Sequence, residues 1–174
     1  MGKFEKIIEE LKDPESETSK ELETIINEDP VKQIIVVRKD LLDRENEKMT
    51  CGKLAAQVSH ASMAPILEKM RGGMTFDMIS PTNENYRLFL DLKVGDPLKD
   101  WLEGSFRKVI LYVKNESQLI KLHEQLKADN ITTCLIKDSG FTIFSEPTIT
   151  CLGIEPLRAS VVDKYTKRLR LLNI

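Results

Sequence analysis

Residues 107–137, RKVILYVKNESQLIKLHEQLKADNITTCLIK, contain the pattern that decides the fold. The apolar, partly β-branched run at 107–114 predicts a strand, and the run at 131–137 predicts another. Between them, residues 115–129 place an apolar stripe along one side of a helix. A strand, a helix and a second strand of this length are typical of a right-handed parallel crossover unit. The stretch therefore predicts a sheet with parallel strands and a helix on one face.

The chain on either side of this unit continues the alternation of strands and helices. Residues 31–40, VKQIIVVRKD, are rich in β-branched residues and predict a buried strand. Residues 50–70, TCGKLAAQVSHASMAPILEKM, predict a helix that begins at a threonine cap, although Pro65 should kink or end it locally. A strand at 148–154 and a helix from Pro156 follow the crossover unit. These elements predict an α/β fold, with a layered sheet and helices on its faces.

Charge divides the chain into two parts. Residues 1–30 hold ten acidic residues and four lysines, so their net charge is −6 in a chain whose formal net charge is −2. Apolar spacing and a capping-box pattern predict that this segment is an acidic, helical N-terminal extension. The extension either packs on the rest of the chain or docks a protein partner. Residues 31–174 form the predicted domain, which carries +4 and has an irregular insertion at about 72–100.

The apolar runs and the cysteines of the sequence predict the cellular compartment of the protein. No apolar run approaches the ~20 residues that a membrane span needs, and the N-terminus lacks the apolar region of a signal peptide. The three cysteines are odd in number and lack CxxC or CxxH spacing, which argues against a disulfide framework and a zinc site. Because reduced thiols fit a reducing compartment, we expect a cytoplasmic protein without a membrane partner.

One face of the helix predicted at 50–70 carries a polar group of side chains. Lys53, Gln57 and His60 stand at i, i+4 and i+7, so they project from the same side. Gly52 lies near the helix start, where free N–H groups and the helix dipole favour anions. This face is either a polar site or a solvated helix surface, and spacing alone favours the solvated surface. A P-loop is excluded because its motif glycine and Ser/Thr are missing.

A second polar group surrounds the turn between two predicted strands, in residues 137–156, KDSGFTIFSEPTITCLGIEP. Asp138 follows a strand and stands just before a glycine, where sheet proteins often place working side chains. Thr142, Thr148 and Thr150 supply hydroxyl groups nearby. Each of these residues also has an ordinary structural explanation, as a turn residue or as part of strand packing.

The order of five segments resembles the pattern of the type 2 peptidyl-tRNA hydrolases: VVRKDL, GKLAAQVSHAS, KVILYV, LIKDSGFT and TITCLGIEP. The resemblance covers residues 31–71 and 101–174. It implies a three-layer α/β/α fold with a mixed, mostly four-stranded sheet flanked by helices. It also implies a homodimer that needs no metal or organic cofactor. The implied activity is hydrolysis of the ester bond of peptidyl-tRNA, which releases free tRNA and the peptide.

The resemblance also assigns roles to the two polar groups. The implied catalytic residues are Lys53, Asp138, Thr142 and Thr150. The implied substrate-binding residues are Gly52, Gln57, His60 and Thr148. Ester hydrolysis needs a held water and a stabilised oxyanion. We expect Asp138 to orient or deprotonate the water and Lys53 to stabilise the oxyanion or the terminal phosphate of tRNA, while the threonine hydroxyls position the ester.

Four positions differ from the family pattern: Phe141, Ile143, Pro147 and Glu155. Phe141 and Ile143 make the turn more apolar, and Glu155 would repel a nucleic acid that it faced. Two alternatives therefore stay open. One is a catalytically weak or inactive domain of the same fold that binds tRNA or a protein partner, and the other is an esterase that acts on another acylated substrate.

Three further features have ordinary structural interpretations. His123 lies on the apolar stripe of its predicted helix, which favours packing over catalysis. Trp101, the only tryptophan, is expected to anchor the core rather than to stack on a base. The basic cluster at 164–170 is expected to be a solvated face, although it could touch RNA.

Overall fold

The computed structural model describes residues 13, 15–17, 19, 20, 29–42, 44, 45, 48–72 and 89–173. Most of the acidic extension predicted at 1–30 lies outside the described residues, as does much of the insertion predicted at 72–100. The domain predicted at 31–174 is described over most of its length, and its bounds stay a prediction.

Strands and helices alternate through the described part of the chain. The strand predicted at 31–40 is observed from Val31 to Arg38, and the strand predicted at 148–154 has the predicted bounds. No helix in this part of the chain is long and apolar enough to cross a membrane. The elements in chain order are β1 (Val31–Arg38), α1 (Cys51–Gly72), α2 (Pro97–Glu103), β2 (Lys108–Val113), α3 (Glu116–Ala128), β3 (Thr133–Asp138), β4 (Thr148–Ile154), β5 (Leu157–Arg158), α4 (Ala159–Thr166) and β6 (Arg170–Leu171).

The described strands form a mixed sheet in the order β3-β4-β1-β2-β6, with β5 paired to the start of β1. β1 and β2 are parallel, whereas β4 is antiparallel to both β1 and β3. β2 and β3 therefore run in the same direction, and α3 carries the chain from one to the other over β1 and β4. These pairings confirm the α/β fold. The sheet has six strands rather than four, because the two-residue strands β5 and β6 extend the four long ones.

Successive residues of β1 face opposite sides of the sheet and so contribute to two cores. Ile34 and Val36 belong to a cluster that contains buried leucines of α3. Ile35 and Val37 belong to a second cluster that contains Ala61 of α1. Because strand side chains alternate between faces, one buried strand supports helices on both sides. The protein thus has the three layers that the sequence predicts.

α1 continues through Pro65 and ends at Gly72, so the expectation that the proline could end this helix is wrong. Pro65 has no N–H to donate to the carbonyl of Ala61, four residues earlier. Gly153 of β4 lies directly against that carbonyl, and a Cβ atom on Gly153 would stand 1.9 Å from the Ala61 oxygen. The Ala61 carbonyl, which lacks its usual helical donor, therefore packs closely against β4.

A short helix, α2, begins inside the segment predicted to be irregular. The Asp96 side chain accepts a hydrogen bond from the N–H of Leu98 at 2.9 Å, and Pro97 occupies the first helical position. Both are standard signals for a helix start. Trp101 of this helix is 1% exposed and donates its ring N–H to the carbonyl of Arg107 at 2.8 Å. These contacts confirm that the tryptophan anchors the core.

Candidate active site

The two predicted polar groups meet at one edge of the sheet. Lys53 lies in the first turn of α1, and Asp138 is the last residue of β3. α1 packs across β3 and β4, and this packing brings the helix start to the end of β3. The parallel strands β1, β2 and β3 all end at this edge, which is the usual place for a ligand site in an open α/β sheet.

An ion pair between Lys53 and Asp138 forms the centre of the site. The Lys53 ammonium donates a hydrogen bond to Oδ2 of Asp138 and another to the hydroxyl of Thr142 at 3.2 Å. The two charged side chains are 14% and 10% exposed, so water screens their attraction only in part. Thr142 is exposed and marks the side on which the pair opens to solvent.

Asp138 receives two further hydrogen bonds. The side-chain amide of Gln57 donates to Oδ2 at 2.9 Å, and the N–H of Gly140 donates to Oδ1 at 3.0 Å. Burial raises the pKa of the Asp138 carboxyl, but the hydrogen bond from Lys53, the N–H of Gly140, the Lys53 charge and the Gln57 amide together lower the pKa below its ordinary value of 3.8. The carboxylate is therefore ionised at neutral pH.

Thr150 of β4 stands behind Gln57 and is fully buried. Its hydroxyl donates to the Gln57 side-chain oxygen at 2.7 Å and lies 3.2 Å from the carbonyl of Ile136. A carboxylate only accepts hydrogen bonds, so the Gln57 nitrogen must face Asp138 and the Gln57 oxygen must face Thr150. Thr150 therefore fixes the orientation of the amide and, through it, the carboxylate.

The structure leaves three predicted site residues outside this hydrogen-bonded chain. Gly52 is exposed beside Lys53, and a Cβ atom there would meet open space. His60 is exposed on α1, two turns farther along the helix. Thr148 donates its hydroxyl to the carbonyl of Glu146 at 2.8 Å and lines a groove of about 230 Å³ together with Arg38 and Phe144. The substrate-binding roles of these three residues stay predictions.

Arg44 is a further residue of the site that the sequence did not single out. Its side chain donates to the carbonyl of Phe144 at 2.9 Å and to that of Gly140 at 2.7 Å, and its backbone N–H donates to the carbonyl of Ile143 at 3.0 Å. Gly140 itself has φ of +79°, and a Cβ atom there would lie 2.6 Å from the backbone of Glu146. The turn at 139–147, which we call the site turn, is therefore held tightly in place.

The four departures from the family pattern differ in their surroundings. Glu155 is buried, accepts the N–H of Thr132 at 2.7 Å and forms an ion pair with Lys69. It does not face outward toward a nucleic acid. Phe141, in contrast, is 87% exposed on the site turn. Pro147 is exposed and Ile143 is partly buried on the same turn.

Among the described residues, no group of three or more His, Cys, Asp or Glu side chains could hold a metal ion. His123 lies away from the site, where its Nδ1 is 2.7 Å from the hydroxyl of Thr133 and burial lowers its pKa. This environment agrees with the packing role predicted for His123.

Known proteins resemble this chain over the domain just described. The family model of peptidyl-tRNA hydrolase PTH2 matches residues 31–172. A protein of Methanopyrus kandleri named peptidyl-tRNA hydrolase is 36% identical over 141 residues, which are 81% of this chain and 97% of that protein. Proteins with the same name from Sulfurisphaera tokodaii and Methanothermobacter thermautotrophicus are 34% and 35% identical over 81% and 82% of this chain, and over 98% and 100% of their own lengths. The family match begins where β1 begins.

Proposed function

The chain belongs to the peptidyl-tRNA hydrolase PTH2 family, and on that premise we propose that it hydrolyses the ester bond of peptidyl-tRNA. The products are free tRNA and a free peptide or N-substituted amino acid. The observation that carries the proposal is the hydrogen-bonded chain that links Lys53, Asp138, Gln57 and Thr150. It brings a cation and an amide from α1 and a carboxylate from β3 to one solvent-open edge, and a hydroxyl from β4 orients the amide.

Asp138 holds the attacking water in this mechanism. Its carboxylate is ionised, and a low pKa makes it a weak proton acceptor while Lys53 is hydrogen-bonded to it. Orientation of the water is therefore its first contribution, since a general base works best when its pKa lies near the working pH. When the third N–H of Lys53 binds the negative charge that develops on the substrate, Lys53 stabilises the Asp138 anion less and the pKa of the carboxyl rises. The carboxylate can then take the water's proton and return it to the ribose oxygen as the ester C–O bond breaks.

Lys53 stabilises the oxyanion that forms when the water attacks the ester carbonyl. An ammonium has three N–H donors. Asp138 and Thr142 accept two of them within the part of the chain that the structure describes, so the third can point to the substrate oxygen. The partly buried position of Lys53 beside the carboxylate favours this role over a contact with a terminal phosphate, because a phosphate is fully hydrated and bulky.

The remaining residues position these groups and the substrate. Thr142 is exposed beside Lys53 and is placed to contact the ester, whereas Thr150 is buried and acts through Gln57. We propose that Gly52 and His60, on the exposed side of α1, contribute to substrate binding along the approach to the ion pair.

A hydrolysis assay on an N-acetylated aminoacyl-tRNA tests the proposal. We expect Lys53→Met and Asp138→Asn each to lower kcat/KM by about 100- to 1,000-fold, the usual cost of losing one group that stabilises a transition state. Lys69→Met is the matched control, because it removes another partly buried ion pair of α1 that lies away from the site. Unchanged turnover in folded Lys53→Met protein would refute the mechanism. Salt-dependent tRNA binding by wild-type protein without cleavage would instead indicate an inactive binding domain.

We further propose that the protein acts in the cytoplasm as a homodimer and that residues 1–30 dock a protein partner. The family resemblance supports the dimer, and the charge of −6 on residues 1–30 suits a basic surface on the partner. Sedimentation velocity at micromolar protein concentration checks the oligomeric state, and a single species with the monomer mass would contradict the dimer.

A further inference from the structure

Phe141 presents an exposed aromatic ring at the rim of the proposed active site. Isolated exposed apolar residues are common on protein surfaces, so the 87% exposure of Phe141 assigns no role by itself. Its position is more informative. The next residue, Thr142, accepts a hydrogen bond from the Lys53 ammonium at 3.2 Å. Phe141 is thus next in the chain to a residue that contacts Lys53, which puts its exposed ring within reach of a substrate bound at Lys53 and Thr142.

The backbone that carries this ring is fixed. Arg44 donates hydrogen bonds to the carbonyls of Gly140, Ile143 and Phe144, which lie on both sides of Phe141. Asp138 accepts the N–H of Gly140 as well. The exposure of the ring is thus a property of a well-anchored turn, and a ligand that binds it meets little cost in ordering the backbone.

We propose that Phe141 stacks on the terminal nucleobase of the tRNA. This inference rests on the proposed function, in which the scissile ester is carried by the ribose of that nucleotide. Three parts of such a substrate lie near the ester: a phosphate, the side chains of the peptide and the base. The surroundings of Phe141 distinguish among them.

A phosphate is disfavoured because the site turn contains no lysine or arginine and does contain Glu146. A peptide side chain is disfavoured because apolar ligands bind in concave sites that bury most of their surface, whereas the Phe141 ring stands clear of its neighbours. A nucleobase can bind by stacking on one face of an aromatic ring, and proteins that bind single-stranded nucleic acid use exposed aromatic rings for such stacking. The base is also the same in every tRNA, so the contact serves substrates with different peptides.

A fluorescence experiment tests the stacking directly. The probe is a short single-stranded RNA whose 3′-terminal adenine is replaced by 2-aminopurine, because stacking quenches the fluorescence of this base. We expect wild-type protein and Phe141→Tyr to quench the probe and Phe141→Leu to leave it bright. Val94→Ala is the control, since Val94 is 97% exposed on another part of the surface. Equal quenching by wild type and Phe141→Leu would overturn the proposal.

Turnover gives a second readout. Stacking on one base contributes about 1–3 kcal/mol, so we expect Phe141→Leu to lower kcat/KM by about 5- to 150-fold and Phe141→Tyr to stay within about twofold of wild type. The loss should be the same for N-acetylglycyl-tRNA and N-acetylleucyl-tRNA. A loss confined to the leucyl substrate would overturn the proposal in favour of a peptide contact. Absence of wild-type turnover would refute the proposed function, and the quenching result would still decide the stacking.

Discussion

Replacement of Thr150 by valine tests whether the proposed mechanism depends on a residue that cannot reach the substrate. Thr150 is fully buried, and its hydroxyl donates to the Gln57 oxygen at 2.7 Å. Valine has nearly the same shape but no donor, so the Gln57 oxygen would lose its partner in a position where Gln57 is only 3% exposed. The carbonyl of Ile136 would lose a longer and weaker contact of 3.2 Å.

The structure sets the size of the expected effect. Leaving a buried acceptor unsatisfied costs about 1–3 kcal/mol, so the free energy of unfolding should fall by that amount. The amide of Gln57 would also be free to turn away from Asp138, to which it now donates at 2.9 Å. Because a misplacement of about 1 Å can cost up to about 100-fold in rate, we expect kcat for Thr150→Val to fall by roughly 10- to 100-fold, with a smaller change in KM.

Urea unfolding and hydrolysis of N-acetylated aminoacyl-tRNA measure the two effects on the same preparations. Thr150→Ser is the matched control, since it keeps the hydroxyl and removes only a methyl group, and it should retain most of kcat. In the Thr150→Val, Gln57→Leu double variant, the losses in kcat should not add, because both changes break the same contact. Wild-type kcat in Thr150→Val, or a loss of kcat in Thr150→Ser as large as that in Thr150→Val, would contradict this role for Thr150.

Three other predictions concern charge, packing and the site turn. The lowered pKa of Asp138 stabilises the fold above about pH 4, and this contribution disappears as the pH falls through the folded-state pKa. In Lys53→Met, NMR titration of the Asp138 carboxyl carbon should give a higher pKa than in wild type, because the carboxyl is still buried while the ammonium is gone. Gly153→Ala places a methyl group 1.9 Å from the Ala61 oxygen and should lower the free energy of unfolding by about 1–3 kcal/mol or more, as measured with urea. A lysine in Arg44→Lys cannot make the two hydrogen bonds that the planar guanidinium of Arg44 donates. Amide hydrogen exchange in the site turn should therefore become faster, and kcat/KM should fall. Unchanged exchange would contradict this role for Arg44.

The sequence predicts a strand most directly where β-branched residues form a local run that is largely buried. β1 and β4 carry such runs, and their bounds agree with prediction to within two residues. β6 has only two residues and exists through its pairing with β2, so no local pattern marks it. The continuation of α1 through Pro65 is likewise not marked by a local pattern, and the Ala61 carbonyl that lacks its helical donor contacts Gly153, far away in sequence.

The site was predictable to the extent that its residues share a helix face or a turn. Lys53 and Gln57 are four residues apart on α1, and the family resemblance pairs them with Asp138. Arg44 could not be found in this way. It lies in a charged loop, and its side chain contacts backbone carbonyls 96 and 100 residues away, which any residue type can provide. The division of the threonines into an exposed Thr142 and a buried Thr150 likewise depends on tertiary packing.

These placements separate the groups proposed for chemistry from those proposed for substrate contact. Lys53, Asp138 and their buried supports belong to a helix and two strands, which hold the geometry that catalysis requires. Phe141 and Ile143 belong to the site turn, and Arg44 fixes that turn through backbone carbonyls rather than through their side chains. Substitutions at these two positions can therefore change what the rim contacts while the ion pair stays in place. Variants of Phe141 and Ile143 should therefore act mainly on KM, and variants of Lys53, Asp138 and Thr150 mainly on kcat.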